Sequence, residues 1–153
     1  MYESEQEAKN AAIGLLARRE HSRKELMTKL QPRCQDFALE PVLDLLEDAG
    51  YLSDLRFSQS FIRMRVSQGH GEIRIRFDLR QKGISSEMIN TSLEEAEVDW
   101  FEQALELYCR KYRTVITPQD FKERSKRMRF MAQRGFSMEQ INYSIEQSAN
   151  TDH

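Results

Sequence analysis

Positively charged side chains recur at short spacing in two stretches of the chain, and they are the residues best suited to bind an anion. In the stretch "EIRIRFDLRQK", Arg74, Arg76 and Arg80 alternate with apolar residues, and residues 110–134 contain nine Lys or Arg against two acids. Such side chains bind phosphate and carboxylate oxygens. They indicate electrostatic recognition of nucleic-acid phosphates or of a protein surface of mixed charge, and the alternative for each side chain is that it lies on a solvated helix face. The candidate contacts are Arg63, Arg65, Arg74, Arg76, Arg80 and Lys82, followed by Lys122, Arg124, Lys126, Arg127, Arg129 and Arg134.

Residues that could form a catalytic or metal site do not occur in a suitable pattern. His21, His70 and His153 have no partner at the spacing of a ligand set or a nucleophilic triad, and Cys34 and Cys109 stand far apart. Zinc sites and disulfide frameworks need clustered ligands or cysteines. We therefore expect no enzyme, no cofactor and no metal.

Composition favours a helical protein. The 153 residues are 31% charged and include only three prolines and six glycines, as in helices joined by short turns. No apolar run approaches the roughly 18 residues of a membrane span, and the first ten residues, "MYESEQEAKN", are acidic, unlike a signal peptide. The expectation is a cytoplasmic protein without membrane contact.

The arginine-containing stretch could be a strand or a helix. From Ile73 to Arg80, apolar and charged residues alternate, which locally predicts a half-buried strand. A helix would place Ile73 with Phe77 and Ile75 with Leu79 on two apolar stripes, typical of a helix wedged between neighbours. The choice depends on the rest of the chain.

An internal repeat favours the helix. A shift of 52 residues aligns "QKGISSEMINTSLEE" at 81–95 with "QRGFSMEQINYSIEQ" at 133–147, with eight identities in fifteen positions. Gly83 and Gly135 suit the residue that ends a helix, and Ser85 and Ser137 suit the cap of the next one. Because the run before Gly135 is rich in helix formers, its partner at 71–82 should also be a helix.

The helix before Gly135 is predicted to begin with Thr117 as its cap and Pro118 as its first residue. Its buried face is predicted to contain Phe121, Ser125, Met128 and Ala132.

A weaker third copy precedes these two. "HSRKELMTKLQ" begins with a capping box from Ser22 to Glu25, and "EPVLDLLEDAG" has an apolar face that we expect to include Val42, Leu45 and Leu46. Each copy also follows another amphipathic helix. The sequence therefore predicts an all-α fold of three tandem three-helix, helix-turn-helix-like repeats in an elongated modular array, with boundaries at 1–52, 53–97 and 98–153.

With these landmarks, the chain resembles the RecX family of bacterial recombination regulators from about residue 11 to 145. The matching residues at the first junction are Gly50, Tyr51, Leu52, Asp54, Arg56 and Phe57. Those of the central stretch are Gly69, Gly71, Ile73, Leu79, Lys82, Gly83 and Ile84. Those near the end are Arg129, Phe130, Arg134, Gly135 and Phe136. The chain departs from the family pattern at His70, Glu72 and Arg113.

The resemblance implies a negative regulator that binds the RecA recombinase. Such a protein would lie in the groove of the RecA filament on single-stranded DNA and inhibit its recombinase, ATPase and co-protease activities, which modulates DNA repair and the SOS response. A monomer is expected.

Two alternatives remain beside this function. One is a free-standing helix-turn-helix DNA-binding protein, although the last helix of each later repeat is acidic or neutral. The other is a protein-interaction scaffold without DNA contact.

Overall fold

The chain is entirely helical in the computed structural model, which describes residues 1–151. The nine α-helices of that range are α1 (Glu5–Arg18), α2 (Arg23–Leu30), α3 (Glu40–Asp48), α4 (Asp54–Ser67), α5 (Glu72–Gln81), α6 (Ser86–Ala96), α7 (Trp100–Lys111), α8 (Phe121–Gln133) and α9 (Met138–Thr151). A 3-10 turn, Gln31–Arg33, follows α2. Residues 1–151 contain no strand and one isolated bridge, between Tyr2 and Cys34. The all-α prediction is confirmed, and the disputed stretch is the helix α5. His153 lies outside the described residues.

The helices form two compact units. Unit 1 contains Met1–Phe61 and Leu79–Ser92, and unit 2 contains Ile62–Asp78 and the described residues from Leu93 onward. Residues of α4, α5 and α6 therefore contribute to both units.

The core of unit 1 is built from α1, α2 and α3. Ala8 and Ala12 of α1 lie in one buried cluster with Leu26 and Leu30 of α2 and with apolar residues of α3. The capping box that fixes the start of α2 is present, because Ser22 and Glu25 each accept a backbone hydrogen bond from the other. Burial of these aliphatic side chains supplies the main stabilisation of the unit.

The predicted apolar face of α3 is partly wrong. Leu45 is 56% exposed, whereas Leu43 is fully buried beside Val42 and Leu46. The reason is that Leu39, just before the helix, is also buried. Positions 39, 43 and 46 follow helical i, i+4, i+7 spacing, and this row turns the helix so that position 45 faces solvent.

Unit 2 has its core between α7, α8 and α9. Its buried cluster joins Ala104, Leu107 and Tyr108 of α7 to Met131 of α8, with Ile141 and Ile145 of α9 and Phe136 before it. The Asp99 side chain caps α7 by accepting from the Glu102 backbone N–H.

The predicted start of α8 is wrong. The helix begins at Phe121 with Asp120 as its cap, whose side chain accepts from the Glu123 backbone N–H at 3.1 Å. Thr117 and Pro118 instead belong to a turn closed by the Asp120 N–H donating to the Thr117 carbonyl. Proline is favourable at the second position of a turn, and aspartate is favourable at a helix cap. The turn therefore comes first, and the helix begins directly after it.

The predicted buried faces of α8 and α5 also need correction. In α8, Phe121 is 73% exposed, Ser125 and Ala132 are exposed and Met128 is half-buried. Its inward residues are Arg127 and Met131. Because the buried Arg127 is stabilised by polar partners, the inward face of α8 does not coincide with its row of apolar residues.

In α5 only one of the two predicted stripes is buried. Ile75 and Leu79 are fully buried, whereas Ile73 and Phe77 are 57% and 53% exposed. The prediction of two buried stripes is therefore wrong, and α5 has one core face.

The glycine–serine turns after α5 and α8 have the predicted structure. Gly83 and Gly135 adopt positive φ angles of 81° and 101°, a region that glycine enters without strain. The next residue donates to the helix in each case, Ile84 N–H to the Leu79 carbonyl and Phe136 N–H to the Met131 carbonyl. This is the Schellman arrangement. Ser85 and Ser137 then cap α6 and α9.

Candidate functional site

Three predicted cationic contacts form a row along the exposed side of α8. Lys122, Lys126 and Arg129 are all exposed and follow i, i+4, i+7 spacing, which places them on one face of a helix. We call them the α8 row. No ion pair joins any of them to another residue in the described range, so their charges face solvent. Such a row can contact successive phosphates or carboxylates.

Backbone hydrogen bonds join the end of α8 to the start of α5 within unit 2. The Gly71 N–H donates to the Arg134 carbonyl at 2.6 Å, and the Ile73 N–H donates to the Gly135 carbonyl at 3.1 Å. These bonds use carbonyls that the end of one helix leaves free and amides that the start of another leaves free. We call this contact the α5–α8 joint.

The joint requires glycine at two positions because the backbones nearly touch. A Cβ atom on Gly71 would lie 2.4 Å from the carbonyl carbon and oxygen of Gly135, and a Cβ atom on Gly135 would lie 2.4 Å from the Arg74 Cβ. Both distances are far below a van der Waals contact. The Gly71–Gly135 approach therefore fixes Arg74 beside the end of α8.

Arg74 also bonds directly to α8. Its guanidinium donates to the Gln133 carbonyl at 3.2 Å and lies 3.8 Å from the Asp78 carboxylate. Arg134 donates to the Gln68 carbonyl at 3.1 Å. The structure thus brings Arg74 and Arg134, which are 60 residues apart in sequence, to the same joint.

His70 lies at the centre of this positive region. It is only 8% exposed. Burial lowers its pKa, and the charges of Arg65, Arg74 and Arg134 lower it further against a smaller opposing effect of Asp78. A neutral imidazole is the form that tolerates burial among guanidinium groups. Sequence analysis missed this cluster, and the sequence signal for it was the departure from the family pattern at His70.

The other predicted contacts of unit 2 differ in whether their side chains already contact another polar group. Arg63 is exposed. Arg76 pairs with Glu72 at 2.7 Å, one helical turn away, and Arg124 lies 3.4 Å from the Asn142 side-chain oxygen. Both contacts are half-buried, so these two side chains already contact a polar group of the same chain.

Arg127 is a core residue, so its prediction as a surface contact is wrong. Its side chain is 4% exposed and donates to the Tyr108 hydroxyl, the Thr114 carbonyl and the Glu123 carboxylate at 2.9–3.0 Å. The guanidinium also lies over the Tyr112 ring, 4.5 Å from its centroid. Buried arginine is stable only when so satisfied. The sequence signal was the pair of Tyr108 in α7 and Tyr112 at its C-terminal cap, four residues apart.

In unit 1, the two predicted contacts differ. Arg80 is exposed, whereas the Lys82 ammonium lies 2.9 Å from the Glu25 carboxylate, which also binds Arg19 at 3.2 Å. Burial alone would raise the pKa of Glu25, but hydrogen bonds from Arg19, Lys82 and the Ser22 backbone outweigh it and hold the pKa at about 2. Lys82 is therefore part of a structural ion-pair network.

Three family models of helical domains match successive parts of the chain. The model described as the first three-helix domain of RecX matches residues 8–44, the second matches 53–93, and the third matches 97–145. The chain belongs to the RecX family. The RecX resemblance and the prediction of three-helix repeats are thereby confirmed.

Similar proteins agree with this RecX assignment. A protein from Pseudomonas entomophila named "Regulatory protein RecX" is 46% identical over 134 residues, which cover 87% of this chain and 86% of the relative.

Two solved structures share the RecX fold. One is described as a crystal structure of regulatory protein RecX, with a TM-score of 0.77, 23% identity, and coverage of 94% of this chain and 73% of that chain. The other is RecX from Lactobacillus salivarius, with a TM-score of 0.77, 20% identity, and coverage of 95% and 97%. Within residues 1–151, no helix is both long and apolar enough to cross a membrane.

Proposed function

We propose that this chain is a negative regulator of RecA that binds in the groove of the RecA filament on single-stranded DNA. Membership of a family of regulatory proteins supports regulation as the role. Filament binding is the expectation that the RecX resemblance carries, and the α8 row is the observation on this chain that fits it best. Inhibition of recombinase, ATPase and co-protease activity would modulate DNA repair and the SOS response.

The α8 row supports this proposal through its charge and position. Three cations without ion-pair partners in the described range lie along about two turns of α8, and the α5–α8 joint holds Arg74 at the C-terminal end of the same helix. A filament of protein and DNA offers both carboxylates and phosphates. Cationic rows raise the association rate and fix the register of such a contact more than they add affinity.

Inhibition by occupancy needs no catalytic group. A bound protein in the groove would exclude a second DNA strand and hold the recombinase subunits in a state unfit for turnover. Accordingly, we propose a regulator that is not an enzyme and uses no cofactor. We also propose a monomer in the cytoplasm, with repeat boundaries at 1–52, 53–97 and 98–153.

The test measures ATP hydrolysis by RecA on single-stranded DNA at increasing concentrations of the chain. We expect substoichiometric amounts to slow hydrolysis. The variant Lys122→Glu, Lys126→Glu, Arg129→Glu should need at least tenfold more protein for the same inhibition. A matched control, Lys9→Glu, Arg18→Glu, Arg113→Glu, makes the same change in net charge outside α8 and should act within about twofold of the original chain.

Two results would count against the proposal. An unchanged rate of ATP hydrolysis at equimolar chain would exclude RecA inhibition. Tight binding to bare DNA at physiological salt, with steep weakening as salt rises and no effect on RecA, would favour the free-standing DNA-binding alternative.

A further inference from the structure

Unit 1 contains an open cavity of about 430 Å³ beside α2. The lining includes four cationic residues, Arg19, Lys24, Lys29 and Lys82. Its volume lies within the range of ligand pockets, about 300–1,000 Å³. Three of these cations belong to no predicted contact set, so the cavity is a feature that sequence analysis did not identify.

The only acid that lines the cavity is already engaged. The carboxylate of Glu25 accepts from Arg19 on both oxygens, and one oxygen also accepts from the Ser22 backbone N–H and the other from Lys82. Glu25 therefore cannot neutralise Lys24 or Lys29, which form no ion pair within residues 1–151. The cavity lining has three positive charges in excess.

His21 adds no charge to the cavity at neutral pH. It is 3% exposed, and burial is the main cause that lowers its pKa. Its Nδ1 atom lies 3.0 Å from the Arg19 carbonyl. Because the neutral ring donates there, this contact holds the Arg19 backbone beside the start of α2. A buried neutral group at the wall also reduces the screening of the nearby cations.

The cavity wall is ordered by a close backbone approach. A Cβ atom on Gly83 would lie 2.7 Å from the Lys24 Cβ, so the Lys24 stem packs directly on the turn after α5. Lys82, the residue before Gly83, is held by Glu25. The Lys24 stem is thus positioned by the turn, and Arg19 and Lys82 by the ion-pair network, before any ligand arrives, which lowers the entropic cost of binding.

We propose that this cavity is a phosphate-binding site, filled by adjacent phosphates of a single DNA strand or by the terminal phosphates of a free nucleotide. Lysine and arginine together suit phosphate, because ammonium groups act as point charges and guanidinium groups as paired donors. The Thr28 hydroxyl and the Gln81 amide, which also line the cavity, can supply neutral donors.

The test uses the full chain without RecA, so its outcome is separate from that of the proposed function. Pyrophosphate binding is measured by calorimetry, and binding of a short fluorescein-labelled thymidine oligonucleotide is measured by anisotropy at several salt concentrations. The variant is Lys24→Ala, Lys29→Ala, whose side chains are exposed and make no ion pair in the described range. The control is Lys9→Ala, Arg18→Ala, which makes the same charge change in unit 1 at two residues that do not line the cavity.

We expect the variant to lose at least tenfold in affinity for one probe, with the control within about twofold of the original chain. Loss of pyrophosphate binding identifies a free phosphate ligand. For the oligonucleotide, a plot of the logarithm of the binding constant against the logarithm of the salt concentration has a slope of about −0.7 for each phosphate contacted on a single strand. Loss of two contacts should make this slope shallower by about 1.4. This result identifies the DNA backbone as the ligand. If neither probe binds, or if variant and control weaken binding equally, the cavity is not a phosphate site.

Discussion

Replacement of Glu25 by Gln tests whether the ion-pair network of unit 1 stabilises the fold. The glutamine amide oxygen can still accept from the Ser22 N–H, since either residue serves in a capping box, so the change removes the charge while keeping the cap. The wild-type shift in pKa from 4.5 to about 2 corresponds to about 3–4 kcal/mol, at about 1.4 kcal/mol for each pH unit.

Solvent reduces this figure. The Glu25 side chain is 13% exposed, but those of Arg19 and Lys82 are 53% and 37% exposed, and exposed partners are screened. We therefore expect Glu25→Gln to lower the free energy of unfolding by about 1–2 kcal/mol at pH 7.

The pH dependence of this difference gives an independent check. Because the folded pKa lies below the unfolded value, the stabilisation is fully present above about pH 4.5 and is lost as the pH falls towards 2, with more than half gone by pH 3. Urea unfolding followed by circular dichroism at pH 7 and pH 3 measures it for both proteins, and a cycle with Lys82→Met assigns the share of that partner. An equal difference at both pH values, or none at pH 7, would refute the reasoning.

Two further substitutions test the packing of unit 2 and are measured by urea unfolding. Gly71→Ala should lower the free energy of unfolding by at least about 2 kcal/mol, because the new Cβ would meet the Gly135 backbone at 2.4 Å. The control is Gly14→Ala in α1, where no atom lies within 4 Å of the new methyl, and it should raise the free energy of unfolding by about 0.5–1 kcal/mol. Equal effects of the two substitutions would contradict the close approach. Arg127→Met should cost about 3 kcal/mol, because it leaves the Tyr108 hydroxyl and the Thr114 carbonyl without their donor; a change below about 0.5 kcal/mol would show that the buried guanidinium is not needed.

The helical fold was predictable because the repeat carries more information than any single stretch. Local alternation at Ile73–Arg80 favours a strand, but its counterpart before Gly135 cannot be one. Glycine and serine at equivalent positions predict the turns at Gly83 and Gly135, which depend only on neighbouring backbone. Turns and helix ends that depend only on residues within one helical turn can therefore be predicted from the sequence.

Burial was harder to predict because it depends on residues distant in sequence. Leu45 and Phe121 look like core residues, yet neighbouring helices pack on other faces of α3 and α8. Arg127 looks like a surface cation, but Tyr108 and Thr114 reach it only after α7 and α8 have packed. Thus a charged residue can be inward and an apolar residue outward without any local sequence signal.

The sequence predicted which residue types could form the candidate site, but it did not predict which of these residues lie together. The α8 row follows directly from helical spacing. The association of Arg74 with Arg134, and of both with His70, results from backbone contacts across more than 50 residues of chain. The cavity beside α2 depends equally on the distant turn at Gly83.

The α5–α8 joint does not depend on the charged side chains beside it. Its hydrogen bonds use main-chain atoms, and its only strict demand on side chains is that Gly71 and Gly135 have none. Replacing a neighbouring arginine would therefore change the local charge while these main-chain hydrogen bonds remain. The geometry of the junction and the charge displayed beside it are thus set by different residues.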